Sequence, residues 1–219
     1  MPKTVFLSPS SQKFIVGNGE YGTEARRMNE LGNIIEYELE RNGVFVEREG
    51  NEISTEERVR IANSLNVDAY ISLHSNRAPD DIAGTMSGTE IYIRPDNKES
   101  LKLASVIYKN MRCTKGFTER GIRENAKFTE VNAPKMPCCL IETDYHDNYE
   151  RSCWIIENMR DIAISITKGI LEYFGQEYKE RINRKYYRVQ LGAFIDKQNA
   201  EKMSRILQNA GFPTVIKYY

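Results

Sequence analysis

The sequence predicts an α/β fold: a mixed, mostly parallel twisted sheet with helices on both faces, followed by a small C-terminal β-α-β unit. Three observations lead to this prediction. Short apolar runs alternate with amphipathic segments, turn residues separate them, and there is no run of about 18 apolar residues that could cross a membrane. With 219 residues, the chain is long for one domain and short for two. We therefore expect one full domain and a small appendage.

Several apolar runs have the length and composition of buried strands. They are bounded by turn residues and lie at Val5–Leu7, Val44–Val46, Ala69–Leu73, Thr89–Ile93 and Cys138–Ile141. In covered parallel sheets, ligands bind beyond the carboxyl ends of the strands. Ser8, His74 and Glu142 follow such ends, so we expect these side chains to lie close together.

Helical periodicity appears between these runs. Ser54 and Glu57 form a capping-box pattern, which predicts that a helix begins there. The remaining predicted helices are Thr23 to Gly43, Leu101–Met111 and a single long helix over Ser152–Phe174.

The C-terminal part has a different composition. We predict a first domain at residues 1–175, a charged linker at 176–185 and a β-α-β module at 186–219. A unit of about 34 residues lies below the size at which a core supports itself.

Charge and cysteine content exclude several classes of protein. Lysines plus arginines number 31 and aspartates plus glutamates also 31, so there is no basic excess that would indicate binding to nucleic acid or an anionic membrane. The four cysteines include the adjacent pair Cys138 and Cys139, and no CxxC spacing occurs. We expect reduced thiols rather than disulfides or a cysteine-rich metal site.

Only two histidines, His74 and His146, occur in the chain. With a carboxylate such as Glu24 or Glu142 they make up the His₂Glu set of a catalytic zinc site, and a further glutamate could act as general base. Ordinary roles stay open: Glu24 suits the first turn of a helix, and His146 suits a loop. Glu142 abuts a buried strand, where an unpaired carboxylate is costly.

Residues 4–174 resemble the catalytic domain of zinc-dependent N-acetylmuramoyl-L-alanine amidases, the type-3 amidase domain. Members of that family cut peptidoglycan between the lactyl group of MurNAc and the L-alanine of the stem peptide. The matching segments keep their order along the domain: Val5-Phe-Leu-Ser-Pro9, Glu24, Ile71-Ser-Leu-His-Ser-Asn76, Arg120-Gly-Ile122, Pro137-Cys-Cys-Leu-Ile-Glu-Thr143 and Asp147-Asn148.

The resemblance implies that Zn²⁺ is the cofactor, that Glu24 and His74 are zinc ligands and that Glu142 is the catalytic glutamate. The family usually begins with Asp-Pro-Gly-His-Gly, whose histidine is the first ligand, whereas this chain has Ser8-Pro-Ser-Ser-Gln12. His146 is the only other histidine and follows Glu142 by four residues. We therefore predict Glu24, His74 and His146 as the metal ligands.

The implied function is that of a peptidoglycan hydrolase of the autolysin or endolysin type. Glu142 would take a proton from the attacking water and return it to the leaving amine. Asn76 and Arg120 are weaker candidates for contacts with the stem peptide or glycan. The alternatives are a metal-free wall-binding pseudoenzyme, a glycosidase that uses Glu24 and Glu142 as its carboxylate pair, and an intracellular α/β binding protein.

The tail resembles one half of a SPOR domain, a peptidoglycan-binding module with two β-α-β halves. The matching residues are Tyr187–Phe194, Asn199–Glu201 and Ala210–Phe212. The expected partner is peptidoglycan, without nucleic acid or a membrane span, and two tails could pair in a homodimer. The first residues show no Sec signal. For action on the cell wall we expect release by lysis or a holin, a non-Sec route, or a leader missing from this sequence.

Overall fold

The computed structural model describes residues 2–50, 53–180, 192–210, 214 and 216. The chain divides into two compact units, Met1–Lys179 and Glu180–Tyr219. Among the described helices, none combines the length and the apolar character needed to cross a bilayer.

Six strands of the first unit form one mixed sheet. They are β1 (Thr4–Pro9), β2 (Phe45–Glu47), β3 (Ala69–Asn76), β4 (Thr89–Ile93), β5 (Glu119–Glu124) and β6 (Cys138–Tyr145). Their order across the sheet is β2-β1-β3-β6-β4-β5, and only β4 and β6 pair in antiparallel fashion. The predicted mixed, mostly parallel α/β fold is confirmed.

Helices lie between the strands along the chain. They are α1 (Glu24–Glu40), α2 (Thr55–Leu65), α3 (Lys98–Met111), α4 (Thr129–Asn132), α5 (Tyr149–Glu157), α6 (Met159–Tyr173) and, in the second unit, α7 (Lys197–Asn209). The predicted cap of α2 forms, because the Ser54 hydroxyl accepts a hydrogen bond from the Glu57 backbone N–H.

The two faces of the sheet bury apolar clusters of different size. Leu7 and Ile71 belong to a large core that includes the apolar faces of α1, α3 and α6. Phe6 and Tyr70, the alternate residues of the same strands, belong to a small core with residues of α2 and α4. In the large core α3 and α6 approach so closely that a Cβ at Gly169 would overlap the backbone of Ile107.

Two predictions about elements were wrong or incomplete, and one falls outside the described residues. The single helix expected over Ser152–Phe174 is two helices, since the backbone leaves helical geometry at Asn158. Strand β5 and the single-turn helix α4 were not predicted. The strands expected on either side of α7 fall largely on residues 186–191 and 215–219, which lie mostly outside the described residues.

Candidate active site

On the sheet face that carries the small core, polar side chains lie towards the carboxyl ends of β3 and β6. Pairing aligns His74 of β3 with Glu142 of β6, and Glu142 in turn with Glu90 of β4. Paired residues of neighbouring strands direct their side chains to the same face. His74, Glu142 and Glu90 therefore form a continuous polar row on the side of Phe6 and Tyr70.

His74 lies between two buried carboxylates. Its Nδ1 atom is 2.9 Å from Glu24 Oε1, and its Nε2 atom is 2.9 Å from Glu130 Oε2. Glu24 is the first residue of α1. The Thr23 hydroxyl caps that helix, which fixes the position of Glu24 in its first turn. Burial alone would lower the pKa of His74, but its hydrogen bonds to Glu130 and Glu24 raise that pKa well above its ordinary value.

Glu142 is a half-buried carboxylate at the centre of the row. Within the described part of the chain, its Oε2 atom has no hydrogen-bond partner. Burial raises the pKa of Glu142 to about 7, the charge of His74 opposes that shift, and Glu24, Glu90 and Glu130 add to it. A carboxyl group with a pKa near neutrality can take up and release a proton during a reaction.

His146 is fully buried just after β6. Its Nδ1 atom is 2.8 Å from the Ser75 hydroxyl, its ring stacks on Tyr21 with centroids 5.4 Å apart, and its Nε2 atom has no partner among the described residues. Ser75 links it to the rest of the site, because the Ser75 backbone N–H donates to Glu24 Oε1 at 3.4 Å. Burial lowers the pKa of His146, which favours the neutral imidazole.

The predicted site residues are thus brought together to different degrees. Glu24 and His74 are in direct contact, Glu142 is the register neighbour of His74, and His146 is reached through Ser75. Across the residues that the structure describes, no group of three or more His, Cys, Asp or Glu side chains is arranged to hold a metal ion. A zinc site would therefore require His146, which Ser75 separates from the other two, to approach Glu24 and His74.

A cleft of about 430 Å³ opens over the row. Its walls include Ser11, which stands at the position of the family's first histidine, and the neighbouring Gln12, together with His74, Glu130 and Glu142. Asp144, two residues after Glu142, is buried in an ion pair with Arg151 at 2.7 Å.

A second cleft of about 440 Å³ lies at the β4–β5 side of the row. It is lined by Asn76, Arg77, Glu90, Tyr92, Arg120, Arg123 and Tyr145, among others. Arg120 is held by an ion pair with buried Glu90, which also accepts a hydrogen bond from the Tyr92 hydroxyl at 2.5 Å. The Arg123 side chain is 49% exposed and 3.4 Å from Glu90, so its charge is more accessible than that of Arg120.

Glu130 is one of the residues of these clefts that sequence reasoning missed, as are Glu90 and Arg123. Glu130 lies on the four-residue helix α4, which is too short to show a period, and the adjacent Val131 anchors that turn in the small core. The only signal in the sequence is one glutamate beside an apolar residue in an otherwise polar segment. Such a signal cannot be separated from that of a solvated loop.

The α/β fold and the acidic cleft with its histidine at the strand ends are features of an enzyme active site. The chain belongs to the N-acetylmuramoyl-L-alanine amidase family, whose model matches residues 15–172, and a SPOR domain follows at residues 183–219. This confirms the predicted family and the predicted activity, that of a peptidoglycan amidase.

Relatives and solved structures agree with that assignment. The chain is 24% identical to the N-acetylmuramoyl-L-alanine amidase CwlM of Bacillus licheniformis over 98% of its own length and 84% of the relative. It is 25% identical to the sporulation-specific N-acetylmuramoyl-L-alanine amidase of Bacillus subtilis, over 85% of this chain and 71% of that protein. The structure of the amidase AmiC2 of Nostoc punctiforme matches with a TM-score of 0.72 at 24% identity, covering 80% of this chain and 98% of that one. The last likeness shows the fold.

Proposed function

We propose that this peptidoglycan amidase is zinc-dependent, with Glu24, His74 and His146 as metal ligands and Glu142 as general base. The substrate bond is the amide between MurNAc and the L-alanine of the stem peptide. The observation that carries the proposal is the contact between His74 Nδ1 and Glu24 Oε1. Glu142 is the register neighbour of His74, and its Oε2 atom has no partner among the described residues.

The chemistry of the donors fits zinc. Imidazole nitrogen and carboxylate oxygen are both common zinc ligands, with bonds of about 2.0–2.2 Å, so two ligand atoms of a tetrahedral site lie roughly 3.3 Å apart. His74 Nδ1 and Glu24 Oε1 are 2.9 Å apart, close to that separation. A metal ion could therefore replace the hydrogen bond between them with little movement of either side chain.

The third ligand, His146, is supported by its unpartnered atom. A ligating imidazole is neutral and commonly holds its second nitrogen in a hydrogen bond. His146 is in that state, with Nδ1 at the Ser75 hydroxyl and a buried Nε2 that has no partner in the described residues. Ser75 also donates its backbone N–H to Glu24 Oε1, so a single residue connects His146 to the other two proposed donors.

The chain's own residues supply the proton transfers. Zinc, when bound, would polarise the scissile carbonyl and lower the pKa of a bound water towards about 7. Glu142 takes a proton from the attacking water and delivers it to the leaving amine of L-alanine. Glu142 lines the cleft with its Oε2 atom enclosed, which limits competition from bulk water for that proton.

The arginine-lined cleft is proposed to receive the stem peptide. Strands β6, β4 and β5 are neighbours, so Arg123 lies two strand spacings, roughly 10 Å, from the strand of Glu142. That reach covers the first few residues of an extended peptide. Arg123 would bind a stem-peptide carboxylate, Arg120 would shape the wall through Glu90, and Asn76 would offer an amide at the junction of the clefts.

The SPOR domain is proposed to hold the enzyme on the glycan. The support for this proposal is the SPOR match itself, which covers residues 183–219. Pairing of two tails stays a prediction. Size-exclusion measurements with and without residues 186–219 test it, and an unchanged monomer would refute it.

Product analysis tests the central proposal. The purified chain is incubated with peptidoglycan in three states: as isolated, after chelation, and after zinc is restored. We expect stem peptides with a new free L-alanine amine in the first and third states only. New reducing sugar ends would indicate a glycosidase, and full activity after exhaustive chelation would refute zinc dependence.

A further inference from the structure

The carboxylate of Glu130 has three partners inside the protein. Its Oε2 atom is 2.9 Å from His74 Nε2, and its Oε1 atom accepts hydrogen bonds from the Ser8 hydroxyl at 2.7 Å and the Tyr70 hydroxyl at 3.2 Å. The residue is 7% exposed. A buried carboxylate is tolerated only where hydrogen bonds or opposite charge compensate the lost hydration. All the described partners are side chains of the sheet face that carries the active site.

The arrangement divides the two oxygens between two tasks. Two hydroxyls, one from β1 and one from β3, fix Oε1, so the carboxylate cannot rotate without losing both. The Oε2 atom of Glu130 is thereby directed at the Nε2 atom of His74. The hydroxyls of Ser8 and Tyr70 come from strands at the centre of the sheet, which makes this support rigid.

We infer that Glu130 is a positioning residue for the metal ligand His74. The inference rests on the proposed zinc-dependent function. With His74 Nδ1 directed at Glu24 and the metal, the proton on Nε2 is donated to Glu130, which fixes the tautomer and the orientation of the ring. Metal-bound histidines commonly donate their second N–H to a carboxylate in this way, and loss of that partner typically weakens metal binding by about 10- to 100-fold.

The main test is Glu130→Gln, which keeps the size of the side chain and removes its charge. Glu56→Gln is the matched control, because Glu56 lines the same cleft but is exposed. Zinc affinity is measured by competition with a chromophoric chelator, and Co²⁺-substituted protein gives an absorption spectrum that reports ligand geometry. We expect Glu130→Gln to bind one zinc about 10- to 100-fold more weakly than Glu56→Gln, with an altered cobalt spectrum.

Tyr70→Phe tests the same chain of contacts without touching Glu130 or His74. It removes one hydroxyl from Oε1, so we expect a smaller loss of zinc affinity in the same direction. If Glu130→Gln does not fold, as judged by circular dichroism, this variant decides, and an unchanged affinity would then overturn the inference.

Other outcomes separate this inference from the proposed function. Equal zinc affinity in Glu130→Gln and Glu56→Gln overturns the positioning role alone. Complete loss of stoichiometric zinc in folded Glu130→Gln also overturns it, because Glu130 would then be a ligand. A wild-type protein that takes up no zinc overturns the proposed metal dependence, and the positioning role with it.

Discussion

The two faces of the central sheet are built from the same strands but bury different chemistry. One face is largely apolar, and α1, α3 and α6 cover it; His146 lies against Tyr21 of this large core. The other is apolar where α2 and α4 cover it and becomes polar at the strand ends, where His74 and Glu142 lie. Leu73 and His74 are neighbours in sequence yet face opposite sides. Because the strands separate these roles by alternation, stability and activity should respond to different substitutions.

The largest expected effect is on the polar face. Glu142→Gln should lower kcat by about 10²–10⁴-fold, because it removes the general base while leaving the proposed ligands in place. The melting temperature should not fall, since Oε2 has no partner among the described residues and three nearby carboxylates disfavour its charge. Release of L-alanine amino termini and thermal unfolding are the measurements. Exposed Glu40→Gln is the control, and a zinc-loaded Glu142→Gln with wild-type rate would contradict the assignment.

A substitution in the large core should have the opposite profile. Leu171→Ala in α6 removes a fully buried side chain and should lower the free energy of unfolding by about 2–5 kcal/mol. Leu101→Ala, at a 46% exposed position of α3, is the matched control and should change it by about 0.5 kcal/mol or less. Both variants should keep wild-type zinc affinity while folded. Loss of zinc from folded Leu171→Ala would mean that the two faces are not independent.

A smaller effect is expected in the arginine-lined cleft. Arg123→Ala should raise KM for peptidoglycan roughly five-fold, equivalent to about 1 kcal/mol, and leave kcat nearly unchanged, because one charge-assisted hydrogen bond to substrate is lost. Arg112→Ala is the control, since that exposed residue pairs with Glu119 outside the cleft. Steady-state kinetics on soluble muropeptides separate the two constants. A drop in kcat with constant KM would show that Arg123 acts on the reaction itself.

The sequence predicts the central strands of the sheet but misses the edge strand β5. Strands β1, β3, β4 and β6 are central and apolar, so composition identifies them. Strand β5 is an edge strand with Ile122 as its one aliphatic residue, so nothing in its composition distinguishes it from a loop. The break at Asn158 was missed because the apolar stripe continues across it. In the structure, the Asn158 side-chain amide donates a hydrogen bond to the Trp154 carbonyl oxygen at the end of α5.

The residues of the candidate site also differ in how far the sequence predicts them. Glu24, His74 and Glu142 could be predicted because each stands at the end of a recognisable element. The contact of His74 with Glu130 could not, because it joins residues 56 apart and depends on a single turn of helix. The position of His146 behind Ser75 depends on how the chain turns after β6, which spacing alone does not determine.

The role of His146 is tested most directly by zinc content. Wild-type protein, His146→Ala and Gln12→Ala are dialysed against buffered zinc and analysed by mass spectrometry for metal per chain, with folding checked by circular dichroism. We predict one zinc per chain in the wild type and in Gln12→Ala, and loss of stoichiometric zinc in folded His146→Ala. A His146→Ala protein that retains one zinc with wild-type affinity would contradict the account.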